Sequence, residues 1–491
     1  MAAGILCARA AEPGPPPPNI VILYADDMGY GDLAAQNPES KIPTPNLDRL
    51  AAEGTRFTDA HSSSGVCSPS RYSLLTGRYH WRKFHDIVNS FDPPAIDRAE
   101  VTLAEVLKRR GYRTACIGKW HLGWDWKAIR KTDARPADPK LGESPDAYDW
   151  FQRIPGGPLD HGFDHYFGDD VPNFPPYAFI EDDRVMVQPT VPLQTGVKPA
   201  EGAWEARPGP MVEGWDFQAV PGRLIEHTVD WILRQRGVRG PFFLYVPFNS
   251  PHAPIVPDDR FAGASKAGGY GDFMRQTDDH AGQILRALDE AGVSRQTLVV
   301  FTSDNGPEAY AHERVRRHNH RSMGPWRGLK RDVYEGGHRV PFIVRWPEVV
   351  KAGAVSDALI SQIDLLATLA AAAGATLPPG SAPDSYDMLP VWRDGAPSPR
   401  TELVHNTHKD VFAIRRGQWV LIAAASGTHT PVPEWFAKSE GLPASLGLPG
   451  ELFDLARDPG QRTNVYAEHP DVVAELTKAL DALKAAPQVR R

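Results

Sequence analysis

The sequence predicts an α/β protein with a large, mostly parallel central sheet carrying helices on both faces, plus a small C-terminal α+β domain with an antiparallel sheet. Three observations predict it. Apolar, β-branched runs alternate with amphipathic stretches that end in glycine; several of the runs are followed by polar residues; and beyond a proline-marked stretch near residue 395 the pattern changes to closely spaced β-rich runs. The buried strands are read at Ile20–Tyr24, Thr114–Ile117, Phe242–Val246, Leu298–Phe301 and Val340–Val344. Helices are read at Thr44–Gly54, Leu103–Gly111 and Phe273–Gly292, each closed by its glycine. Strand alternating with helix places a ligand site beyond the carboxyl ends of the strands.

The chain has 491 residues, 41% of them hydrophobic, and a net charge of −7 from 54 basic and 61 acidic side chains. Collagen-like, coiled-coil and wholly disordered classes are excluded. The acidic balance argues against a nucleic-acid partner, because phosphate binding needs clustered positive charge. Three cysteines cannot build a disulfide framework, and no apolar run reaches the ~20 residues of a membrane helix. Met1–Ala11, with Ala8-Arg9-Ala10 as a cleavage site, reads as the remnant of a signal peptide, so a periplasmic or secreted location is expected, with a cytoplasmic one as the alternative. The expected division is a leader or disordered start at 1–18, a main catalytic domain at 19–395, and a small domain at 396–491. In the last, Val411–Ile422 reads as a hairpin, Leu452-Phe453 as a further strand, and Asp471–Lys484 as a helix.

Four strands end in chemistry-bearing residues: Asp26-Asp27, Lys119-Trp120-His121, Asn249-Ser250-Pro251-His252, and Asp304-Asn305. One such tail is an ordinary loop or cap; four on one sheet edge make an active site. Cys67-Ser-Pro-Ser-Arg71 opens a helix in which Ser68 serves as cap, Pro69 fills the first turn and Gly77 ends it, so that Cys67 stands just before the N-terminus and Arg71 one turn in. That end of a helix suits an anionic group. Cys116, inside an apolar strand, reads as packing. His312, His318 and His320 match no metal spacing and read as a loop rim, with substrate contact as the alternative.

These residues resemble the type I sulfatases of the alkaline-phosphatase-like superfamily. The resemblance rests on Cys67-x-Pro-x-Arg71, on Asn19–Asp32, Gly118–Gly123, His161–Asp164, Ser250–Pro254, Thr302–Gly306, Gly328–Lys330 and Tyr334–Gly337, and it spans about residues 19–480. It implies that a formylglycine-generating maturation enzyme oxidises Cys67 to formylglycine (3-oxoalanine), whose gem-diol binds the metal and acts as nucleophile. Asp26, Asp27, Asp304 and Asn305 offer only oxygens, which suits Ca²⁺, with Mg²⁺ second. Arg71 and the metal favour the ionised diol, Lys119 and Lys330 clamp the sulfate, His252 is the acid for the leaving alcohol, and His121 then takes the proton from the second hydroxyl. Trp124 and Trp126, with Asp170 and Asn173 in the stretch Asp169–Tyr177, read as the wall of a sugar site or, equally, as core tryptophans beside a stiff proline loop. The expected activity is therefore hydrolysis of sulfate monoesters, the partner a sulfated saccharide or other small sulfated molecule. Two alternatives stand beside it: a phosphoester or phosphonate hydrolase of the same superfamily, and an inactive carbohydrate-binding homologue.

Overall fold

The computed structural model describes residues 17–138, 140–193, 204–442 and 446–489. The expected leader at 1–11 lies outside them. The main sheet contains β1 (Asn19–Ala25), β2 (Thr55–Phe57), β3 (Arg113–Ile117), β4 (His165–Gly168), β5 (Ile180–Glu181), β6 (Arg184–Val185), β7 (Phe242–Pro247), β8 (Thr297–Ser303), β9 (Phe342–Arg345) and β10 (Ala354–Ser356). Their order across the ten-stranded sheet is β10-β2-β9-β8-β1-β7-β3-β4-β5-β6. The central strands β8, β1, β7, β3 and β4 are mutually parallel. Both flanks turn antiparallel, through β9 on one side and β5 on the other. Strand β9 starts later than its apolar run because Pro341 has no N–H for the ladder.

Burial on both faces follows from alternation along β1. Ile20, Ile22 and Tyr24 pack with Leu74 and Leu75 of α2 (Cys67–Thr76), Leu103 and Leu107 of α3 (Leu103–Arg109), and Leu366 and Leu369 of the helix Leu365–Ala372. Val21, Leu23 and Ala25 point the other way, against Leu47 and Leu50 of α1 (Pro45–Glu53), Leu224 and Ile225 of α4 (Val220–Leu233), and Ile284 and Leu288 of α5 (Gly268–Glu290). A strand covered on both sides has no polar face, which is why these runs are continuously apolar in the sequence.

A separate four-stranded antiparallel sheet joins Glu402–Asn406, Phe412–Arg416, Trp419–Ile422 and Glu451–Asp454 in chain order. The expected hairpin forms at the second and third of these, turning at Gly417 with φ 56°. Alternation again sets the packing: Phe412, Ile414 and Leu421 meet Leu476 and Leu480 of the helix Pro470–Ala485, together with Tyr79, Trp81 and Ile363. Ala413, Val420 and Ile422 meet Val333 and Tyr334. The small sheet is thus wedged against the segment that follows Lys330. No helix among the described residues is long and apolar enough to cross a membrane.

Candidate active site

The site gathers at the carboxyl ends of β1, β3, β7 and β8. Asp26 and Asp27 leave β1 where the chain turns at Asp27, φ 63°, a left-handed conformation that Asp tolerates better than most residues. The turn lets the Asp27 N–H donate to Asp304 Oδ1 at 3.1 Å, so the β1 and β8 tails brace each other. Gly118 is required for the next approach: its φ is 135°, and a Cβ there would lie 2.0 Å from the Pro247 carbonyl oxygen. The chain can therefore turn directly from β3 into Lys119, whose Nζ reaches Asp26 Oδ2 at 2.6 Å. Lys330 Nζ lies 2.7 Å from Asp27 Oδ1. Arg71, fully buried, donates through Nη2 to Asp304 Oδ2 at 2.8 Å and through Nη1 to the Lys119 carbonyl at 3.0 Å.

Helix α2 begins at Cys67 itself, with Val66 at the cap position and no side-chain cap bond. This corrects the reading of Ser68 as the cap. Ser68 Oγ instead accepts the Val88 N–H at 3.1 Å, and the Val88 carbonyl accepts from His121 Nε2 at 2.9 Å. With its proton on Nε2, His121 keeps a lone pair on a buried Nδ1 that has no partner among the described residues. His252 is arranged oppositely: Nδ1 donates to the Ala253 carbonyl at 2.6 Å, and Nε2 faces Asp27 Oδ2 at 3.8 Å.

The electrostatics follow from this crowding. Burial and the neighbouring Asp26 push the Asp304 carboxyl up to about 7, against Arg71 and Lys119. Asp27 goes the other way; burial alone would raise it, but Lys330 and His252 hold it well below the usual carboxylate range. Burial, Lys119 and Lys330 push His252 down to about 3, and burial holds the Cys67 thiol up. Asp26 Oδ1 and Asn305 Oδ1 are buried without a hydrogen-bond donor among the described residues. Two orphaned oxygens amid three carboxylates fit a hard divalent cation, and no softer donor than the Cys67 position stands among them.

A cleft of about 540 Å³, its open mouth included, reaches this centre. Asp27, His252 and Lys330 form its floor, and Asn173, Arg207, Glu308, Tyr310 and Arg331 its walls. Asn173, expected as a substrate residue, lines this cleft. Asp170 is not a wall: its carboxylate accepts the His121 N–H at 3.2 Å and supports that residue's left-handed backbone. Trp124 and Trp126 are corrected outright. Trp124 is fully buried 5.6 Å from the Tyr166 ring, and Trp126 packs with Tyr148 and Trp150, so both belong to the core. His312 and His320 are likewise buried and not a rim; His312 lies on Phe436, and His320 Nε2 donates to Asp32 Oδ1 at 2.7 Å.

Sequence reasoning missed several residues. Gln362 accepts from the Tyr24 hydroxyl at 2.6 Å and donates to Thr302 Oγ1 at 2.9 Å, which ties the ends of β1 and β8 from behind. Nothing around Gln362 in the sequence marks it. Glu308 holds Arg331 at 2.7 Å, and Arg207 lies 3.7 Å over the Phe174 ring without an ion pair among the described residues. Glu308 follows the Asp304-Asn305-Gly306 motif closely enough to have been suspected; Arg207 carries no such signal.

A family profile described as Sulfatase matches residues 18–375. An N-acetylgalactosamine-6-O-sulfatase of Bacteroides thetaiotaomicron is 34% identical over 507 residues, covering 95% of this chain and 93% of that protein. Human arylsulfatase A is 33% identical over 495 residues, covering 99% of this chain and 89% of that one. A solved Bacteroides thetaiotaomicron structure, described under the metabolism of multiple glycosaminoglycans, superposes with TM-score 0.80 at 32% identity, over 96% of this chain and all of the other.

Proposed function

Because the chain belongs to the sulfatase family, we propose that it hydrolyses sulfate monoesters of a saccharide, with residue 67 matured to formylglycine and a divalent cation, Ca²⁺ before Mg²⁺, held by Asp26, Asp27, Asp304 and Asn305. The observation that carries this reading is the convergence of Cys67, Arg71, Lys119, Lys330 and two histidines on a buried oxygen cluster with two unpaired oxygens. The formylglycine supplies the nucleophilic hydrate and the cation favours its ionised oxygen. Lys119 and Lys330 are placed to exchange their carboxylate contacts for the sulfate oxygens, and Arg71 orients Asp304.

Burial, and after it Lys119 and Lys330, keep His252 neutral, although each lysine is paired with a carboxylate. A bound sulfate ester brings negative charge to those lysines, offsets their repulsion of an imidazolium, and so lets Nε2 carry the proton that the leaving alcohol needs. His121, whose Nδ1 has no partner among the described residues, is the base for the return step. Arg207, stacked on Phe174, bonded to Asn89 Oδ1 at 3.2 Å and without an ion pair among the described residues, together with Asn173 and Tyr310, supplies donors for sugar hydroxyls or for a second anionic group. The saccharide assignment draws on the relatives' names and on this wall.

The deciding experiment is the mass of the tryptic peptide Phe57–Arg71 from protein produced with a formylglycine-generating enzyme, followed by sulfate release from 6-sulfated N-acetylgalactosamine and other sulfated sugars. The expected result is an aldehyde at position 67 and release of inorganic sulfate. An unmodified thiol in a competent host, or faster turnover of phosphate or phosphonate esters than of any sulfate ester, would overturn the reading.

A further inference from the structure

Three histidines that the proposed reaction does not use meet inside the protein. His61 ends the short strand Ala60–His61, His338 ends the helix Glu335–His338, and His405 lies in the first strand of the small sheet. All three are buried, and one ring nitrogen from each lies within 4.8 Å of the other two. His61 Nδ1 and His338 Nδ1 face each other at 3.0 Å.

The second nitrogen of each ring is already committed to an oxygen. His61 Nε2 donates to Asp59 Oδ1 at 2.9 Å, His338 Nε2 to the Val333 carbonyl at 3.3 Å, and His405 Nε2 to the Ser62 carbonyl at 3.1 Å. A neutral imidazole has one N–H, so a proton on each Nε2 leaves the lone pair on each Nδ1. Two lone pairs facing each other across 3.0 Å need a cation between them, either a shared proton or a metal ion. An outward N–H held by a carboxylate or carbonyl, with the other nitrogen turned inward, is also how metal-ligating histidines are oriented.

We propose that His61, His338 and His405 form a second metal site, for a borderline divalent transition ion, zinc before nickel, with Asp59 and the Val333 and Ser62 carbonyls as its outer support. Imidazole nitrogens select such ions over calcium. Nitrogen ligands at about 2.0–2.1 Å from zinc stand roughly 3.3 Å apart, close to the His61–His338 separation. His405 is stacked on His338 with ring centroids 3.4 Å apart, and binding the ion would require it to tilt off that ring. Around the trio, Arg415 and Arg339 pair with Asp59, Arg339 also pairs with Glu335, and Arg415 Nη1 stands 3.3 Å from His61 Nε2. The neighbouring charges therefore cancel in pairs.

The ion would join three segments: the turn Ser62–Val66 that leads into Cys67, the helix after Lys330, and the small sheet. Ser64 already connects two of these, its hydroxyl donating to the Asn406 carbonyl at 2.9 Å. The site is structural and does not depend on the sulfatase reading.

The test is the metal content of the full chain, produced in zinc-supplemented medium, purified without chelators and measured by inductively coupled plasma mass spectrometry. About one zinc per chain is expected, retained in Asp26→Asn and lost in His405→Gln and His338→Leu. Protein produced with cobalt should show the visible d–d bands of a tetrahedral nitrogen site, and 1,10-phenanthroline should lower Tm. Where a histidine variant fails to fold, the wild-type content and the cobalt spectrum decide. Absence of zinc and cobalt from the wild type, or zinc that disappears in Asp26→Asn and persists in His405→Gln, overturns the proposal; in the first case His61 and His338 share a proton instead.

Discussion

The oxygen cluster at the strand ends and the histidine cluster behind the Cys67 loop are both buried, both titratable and both built from distant segments, yet they differ in ligand chemistry and in what supports them. Asp26, Asp27, Asp304 and Asn305 project from the ends of parallel strands, where the sheet register fixes them to one edge. Their neighbours are cations, Arg71, Lys119 and Lys330, so the cluster is poised for exchange with an anionic substrate. The histidines are held from outside by fixed oxygens and, among the described residues, hydrogen-bond to none of those that line the cleft. One arrangement can trade partners during a reaction; the other can only hold something still.

That contrast is most sharply broken or upheld at Cys67. Cys67→Ala should lower kcat for sulfate release by about 10⁴-fold or more, since losing a nucleophile removes the reaction path and not one contact of many. Sulfate release surviving that substitution would move the nucleophile elsewhere. Next in size, EGTA treatment or Asp304→Asn should each cost about 10³-fold in kcat/KM, read by calcium titration and sulfate assay, because the carboxylate cluster loses its cation. Full activity in EGTA with no bound ion would leave the two orphaned oxygens unexplained.

A smaller effect separates proton transfer from positioning. His252→Ala should slow sugar sulfates by about 10²–10⁴-fold while sparing an activated aryl sulfate, whose leaving group needs no proton. Equal losses on both would make His252 a positioning residue. In the cores, Leu74→Ala under the main sheet and Leu480→Ala under the small sheet should each cost about 2–5 kcal/mol in urea unfolding, since both side chains are buried. A far smaller cost at Leu480 would show the small sheet to be loosely docked.

The last expectation concerns pH. Burial holds His80 at about 3 and His280 at about 4, below the ordinary 6.5, and both ring nitrogens of each lack partners among the described residues. The unfolded chain therefore binds protons that the native one refuses, so stability is complete above about pH 6.5 and declines as pH falls towards 4 and then 3. Urea unfolding at pH 7 and pH 4.5 should show the drop, up to about 3 kcal/mol from His280, and His280→Gln should flatten the slope. A pH-independent Cm over that range would contradict it.

How much was legible in the sequence varies with how local the cause is. Every run read as a buried strand contains one, because continuous burial leaves its mark in consecutive residues, and the hairpin at Gly417 is a local turn. The strand-end motifs came out for the same reason: a parallel sheet delivers the residues after each strand to one edge, so Asp26, Lys119, His252 and Asp304 could be assembled from order alone. Ser68 was misread because cap and brace use the same hydroxyl, and only the position of Val88 decides between them. Trp124 was misread because an aromatic that walls a sugar site and one that fills a core look alike in sequence. Gln362 and Arg207 carried no pattern at all.

By itself, then, the sequence determined the α/β alternation, the edge on which the polar tails collect, and the residue types available there, since these follow from short-range periodicity and strand direction. Tertiary structure alone decided which nitrogen of His121 and of His252 is free, that Asp304 and Asp27 are driven in opposite directions, and that His61, His338 and His405 meet across 344 residues of chain (405 − 61). Those outcomes depend on distances between atoms far apart in sequence, and electrostatic and hydrogen-bonding energies fall off with distance in space, not with separation along the chain.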